Sequence, residues 1–241
     1  MSDWIKINGV SSDSLGIWVD TPPMPILGKR RRNTVSTGAD EDMTTVLDSY
    51  ENSQLTVNFY TFKDAAYTGS EETAYYDNTA IYNYFAAAQT LETSRHEGFF
   101  YKVRDISSIK PVPSYNAKKA KYSVTFSISP FRYKVDNLPE SVSGSAFTVT
   151  NEGTLYSKPQ IKFTATGNVE IECNGDAFYV NSIPANSEVI VDSNRRITVI
   201  DGAIINASTN GKYPMLAVGT NSFEITGTVS DITITKNERW L

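Results

Sequence analysis

One cysteine, Cys173, and one histidine, His96, are all that 241 residues supply of the two side chains most used in redox and general-base chemistry. A lone thiol excludes an intrachain disulfide and any cysteine-rich zinc site. Cys173 falls in register with Val169 and Ile171 in an alternating run, which predicts a buried structural thiol compatible with a reducing cytoplasm. His96 lies between Arg95 and Glu97 and reads as a solvated loop residue without an orienting partner. No G-x-S-x-G elbow, H-E-x-x-H helix or P-loop glycine pattern occurs. No apolar run approaches the roughly 18 residues of a membrane span, and "MSDWIKING" has no basic-then-apolar leader. The expectation is a soluble, non-enzymatic protein that needs no cofactor or metal.

Positive charge is also in short supply. Twenty-two Lys and Arg against 27 Asp and Glu leave a net charge of −5, the wrong sign for a protein whose main task is gripping phosphates. Against that background "PPMPILGKRRRNTV" stands out, with Lys29, Arg30, Arg31 and Arg32 in succession. The run fits a cationic strand that pairs with an acidic surface of a neighbour or partner, setting register and encounter rate. An ordinary solvated strand and the lining of a DNA channel are the other readings. Asp40, Glu41 and Asp42 follow shortly after, without the ligand spacing or closing Glu of an EF-hand loop, and read as a solvated turn. Together with the basic run they form the candidate assembly contacts.

What the chain does contain is period-two alternation. "LTVNFYTF" sets Leu55, Val57 and Phe59 against Thr56, Asn58 and Tyr60, and "YSVTFSIS" sets Tyr122, Val124, Phe126 and Ile128 against Ser and Thr. Each predicts a strand with one buried face. "LGIWV" and "EGFFYKVRDI" add two more strands, the latter aromatic on both faces. One segment breaks the pattern: Ile81, Tyr84, Phe85, Ala88 and Leu91 recur at helical spacing behind Asp77 and Asn78, predicting a single helix over about 79–92.

Beyond Ser141 the chain reads as short strands at roughly 8 to 12 residue spacing, punctuated by Asn174-Gly175, Asp201-Gly202 and Asn210-Gly211, the pattern of a β-sandwich. Tyr133–Ser145, with its Pro and Gly, is the linker candidate, giving domains 1–138 and 139–241. Small sandwiches often present aromatic rings to sugars; Tyr179 and Tyr213 are the candidates here, each equally suited to packing.

The order of landmarks resembles a known family. Leu15-Gly16-Ile17, Ser129-Pro130-Phe131-Arg132-Tyr133, the Asn-Glu-Gly…Pro-x-Ile stretch from Asn151 to Ile161, Asn174-Gly175, Pro214-x-Leu216 with Gly219-x-Asn221, and Arg239-Trp240 occur in the sequence of the distal tail proteins (Dit) of long-tailed, non-contractile phages and prophages. The resemblance implies a mainly β chain: an N-terminal β-sandwich with one helix that closes into a hexameric ring, single or stacked, and a galectin-like C-terminal sandwich projecting outward. It implies a virion protein of the tail tip, made in the host bacterial cytoplasm. Its partners would be the tail-tube protein, the tail-associated hub or fibre protein, and a receptor-binding protein or cell-surface glycan; no membrane insertion or specific nucleic-acid binding is implied. A lectin-like protein of the host surface contact is the alternative.

Overall fold

The computed structural model describes residues 3–21, 23–24, 29–35, 43–62, 78–107, 109–112 and 119–241. The chain is mainly β and divides into two compact units, Met1–Val135 with Leu241, and Asp136–Trp240.

The first unit is built on strands β1 (Ile5–Ile7), β2 (Val10–Ser11), β3 (Ile17–Val19), β4 (Arg30–Val35), β5 (Met43–Tyr50), β6 (Ser53–Phe62), β7 (Thr90–Thr93), β8 (Phe99–Ile106), β9 (Lys110–Val112) and β10 (Lys119–Lys134), with helix α1 (Asn78–Ala86) before β7. Eight strands form one antiparallel sheet in the order β2-β1-β7-β8-β10-β6-β3, with β9 also beside β10. The hairpin β4–β5 is a separate two-stranded sheet. The alternation seen in the sequence decides which face is covered: Tyr122, Val124 and Phe126 of β10 lie opposite Phe59, Val57 and Leu55 of β6, and all six are buried. Phe85 of α1 has no exposed surface and drops its ring against Phe59 (4.9 Å) and Phe126 (6.0 Å), so the helix roofs this face.

The helix stops earlier than its spacing predicts. It ends at Ala86, and Leu91 belongs to β7 rather than to a fourth helical turn. The reason lies about eighty residues upstream. Asn8, at the left-handed turn between β1 and β2, donates to Ala87 O (2.8 Å) and accepts from Gln89 N (2.9 Å) and Thr90 N (3.1 Å). One side chain thus satisfies a carbonyl just past the helix end, where C=O groups lack intrahelical partners, and two backbone amides at the entry to β7. Leu91 is then free to pair across from Ile7 and Tyr101.

The second unit contains β11 (Glu140–Ser141), β12 (Ala146–Asn151), β13 (Gln160–Cys173), β14 (Asp176–Asp192), β15 (Ile197–Ile200), β16 (Ala203–Ile204) and β17 (Gly219–Thr235). They form one sheet, β11-β17-β13-β14-β15-β16, with β12 also on β17. Where the sequence reads as a succession of short strands, β13, β14 and β17 are long, bent ones. At each bend the ladder slips. Gly167 (φ 83°), Ser182 and Asn186 (φ 59° and 55°), and Gly227 (φ 129°) sit at these breaks. The slips reset which side faces inward: β14 buries Phe178 and Val180 before its bend and Ile183, Val189 and Val191 after it. Both halves feed one core of Ile, Val and Phe, so the same strands supply both layers of the sandwich. Asn174 and Gly175 both have positive φ (54° and 89°) and join Cys173 directly to Asp176, a tight hairpin of the type the dipeptide signals.

Candidate assembly surfaces

Hydrogen-bonding side chains are used mainly to fix loops. Asn221, fully buried, accepts from Ala217 N (2.7 Å) and Asn174 Nδ2 (2.7 Å) and donates to the carbonyls of Gly219, Ala217 and Val149. This accounts for the Gly-x-Asn signature and pins the loop that carries Met215 and Val218, both more than half exposed. Asn210 closes a sheet edge by accepting from Tyr179 N and donating to Ala177 O, standing in for a neighbouring strand.

His96 departs from its expected place in a solvated loop. It ends a short 3-10 turn, half-buried, with Nδ1 2.9 Å from the Tyr101 hydroxyl. Burial, reinforced by the charges of Arg132 and Arg95, holds its pKa below the ordinary 6.5, which keeps the ring neutral near pH 7. Burial pushes the Tyr101 phenol up to about 12. The pair lines a cavity of about 390 Å³ together with Arg95, Ser129 and Arg132. Among the described lining residues none is an Asp or Glu, and the imidazole is hydrogen-bonded to the Tyr101 hydroxyl. Among the described residues, no three His, Cys, Asp or Glu side chains converge as metal ligands. Cys173 is buried, as its alternation predicts, and burial pushes its thiol up to about 11.

The basic run enters a strand. Lys29, Arg30, Arg31 and Arg32 are all exposed, the three arginines on β4. Arg30 is anchored: its Nε donates to the Tyr50 hydroxyl (3.1 Å), and the guanidinium lies 5.6 Å from the Tyr50 ring centre. Tyr50 in turn meets the Phe131 ring edge-on at 5.3 Å, tying the base of the hairpin to β10. Register slips between Arg30 and Arg32, which sets Arg31 at a bulge. The acidic candidates Asp40, Glu41 and Asp42 lie outside the described residues.

Of the two tyrosines, Tyr179 is exposed on β14 and bonds Glu170 across the ladder, which raises its pKa. Tyr213 is half-buried; its ring packs on Phe178 at 4.9 Å and its hydroxyl donates to Asn206 Oδ1 at 3.3 Å. The pair therefore differs in what each ring can offer to a ligand.

The strand pairing also assembles a group invisible in the linear sequence. Glu172 of β13 lies directly opposite Glu224 of β17, and Glu170 follows two positions along the same outward face. Their registered neighbours are Ala146, Ala177, Tyr179 and Thr226, none cationic. Among the described residues, the ion pairs of this unit use Lys162–Glu188, Arg195–Asp192 and Lys236 with Glu140 and Glu238, leaving these three glutamates out. Alternation alone assigns each its outward parity; only the β13–β17 register reveals that two stand face to face.

Among the described residues, two antiparallel β units, the first roofed by α1 and carrying a separate hairpin, define a fold that also occurs in a phage protein of known structure. The particular structure that this chain resembles is the Dit protein (gp 19.1) of phage SPP1, described as a paradigm of the hub adsorption apparatus in Gram-positive infecting phages. The likeness covers 100% of both chains with a TM-score of 0.76 at 16% sequence identity, so the Dit fold is shared across the whole length. No family model matches the sequence, and no curated protein matches it.

Proposed function

We propose that the protein is a structural component of a phage or prophage tail tip. Residues 1–138 close with copies of themselves into a hexameric ring joining the tail-tube protein to the tail-associated and baseplate proteins. Residues 139–241 form an outward, galectin-like docking domain. The single observation that carries this reading is the end-to-end fold correspondence with a phage hub protein, covering both units rather than one. The chemistry is in keeping with it: Asn210 and Asn221 fix a sheet edge and a loop, and the one histidine is hydrogen-bonded to a tyrosine. A permanent ring interface buries about 2,000 Å² or more and favours aromatic and Arg anchors. The exposed Tyr82 on α1 and the arginines of β4 are of that type.

Light scattering and negative-stain averaging of the purified protein test the proposal. The expected result is a particle several times 26.7 kDa with sixfold symmetry. A strictly monomeric species at high concentration overturns it.

A carbohydrate-contacting role for the second unit draws on one feature, the exposed ring of Tyr179. Titration of cell-wall polysaccharide into the full chain decides it: saturable binding abolished by Tyr179→Ala supports the reading, and no binding removes it.

A further inference from the structure

Hairpin β4–β5 is only two strands wide, and an isolated pair is marginally stable at best in water. Lys29, just before its first strand, and Arg31 and Arg32 on that strand are exposed, while Arg30 is already held by Tyr50. Such an element gains from a surface that supplies both cover and opposite charge. The second unit offers one: the outward face where Glu172 opposes Glu224, with Glu170 beside them and neutral side chains at the registered neighbours. Like charges directly across a ladder destabilise a sheet, so this pair costs stability in the isolated unit. A cation laid between them removes that cost and converts repulsion into attraction.

We propose that the cationic strand β4 of one copy docks on the Glu170–Glu172–Glu224 face of a second copy. This links the first unit of one subunit to the second unit of another. It rests on the assembly reading above in one respect: copies of the chain must associate.

The test uses the full chain with two reversals, Arg31→Glu with Arg32→Glu, and Glu172→Lys with Glu224→Lys. Every altered side chain lies on an outward strand face, and unchanged melting curves check that the fold survives. Sedimentation velocity is expected to show association weakened about tenfold or more by either reversal, and restored when both are combined. Wild-type association should also weaken as salt is raised to about 1 M. Independently, Arg32→Cys and Glu172→Cys, each in a Cys173→Ser background, are mixed with one partner enlarged by a tag. An oxidised heterodimer is the expected product. If the wild type assembles but neither restoration nor a cross-link between copies is seen, the hub reading stands and this contact is overturned. If the wild type never associates, both fall.

Discussion

Asn221 is the residue whose loss the second unit should feel most. Replacing it by Ala strands buried amide and carbonyl groups of Ala217, Gly219 and Val149, at a cost of about 2–4 kcal/mol. A lowered urea midpoint with an unchanged slope would register it. Gly227→Ala is expected to be comparably harmful, because a Cβ there meets Asn168 O at 2.6 Å in a backbone region hostile to side chains. Two titrating groups give pH signatures of opposite sense. The folded pKa of His96 lies below 6.5, so the folded chain binds fewer protons there than the unfolded one. The stability it contributes is present above pH 6.5 and drains away as pH falls through the folded value. A His96→Gln variant should flatten the acid limb of the melting temperature against pH. Cys173 works in the other direction: its pKa is raised from 9.0 to about 11, so its contribution is full below pH 9 and is lost as pH climbs through 11. That loss amounts to about 2–3 kcal/mol. The same burial predicts negligible alkylation of the native thiol and rapid alkylation in denaturant.

Elements were legible wherever local pattern and tertiary demand coincide. Leu55, Val57 and Phe59 alternate in the sequence and are buried in the sheet, because β6 is covered on one side only. The helix was legible in kind but not in length. Its spacing continues to Leu91, yet Asn8 intercepts the backbone at Ala87–Thr90, and nothing local in that stretch announces a cap about eighty residues away. Asn8→Ala is therefore expected to cost about 1–2 kcal/mol and to speed hydrogen exchange at Gln89 and Thr90, while Asn8→Gly, which tolerates the left-handed turn, isolates the lost side-chain bonds. The long strands were hidden for a different reason. A bulge reverses the inward parity within β14, and a parity change in a sequence looks like the end of one strand and the start of the next. Of the candidate contacts, the cationic run was readable because it is contiguous. The acidic face was not, since Glu172 and Glu224 lie about fifty residues apart and meet only through pairing.

At the scale of the molecule, each unit has its own core, and among the described residues no core residue belongs to both. Residues 136–241 expressed alone should accordingly fold, with a cooperative melt and native-like amide dispersion; a molten product would show that the division of cores does not make them independent. The fold is shared with the SPP1 protein at 16% identity, so few side chains need be the same for the backbone to follow this course.

The bent strands of the second unit carry a mechanical consequence. In a sandwich whose layers are separate strands, load can slide one layer over the other and break it in stages. Here β13, β14 and β17 pass from layer to layer without interruption, so neither slab can be peeled off while the backbone holds. Stretched between its ends in an optical trap, this unit should hold and then give way in one rip.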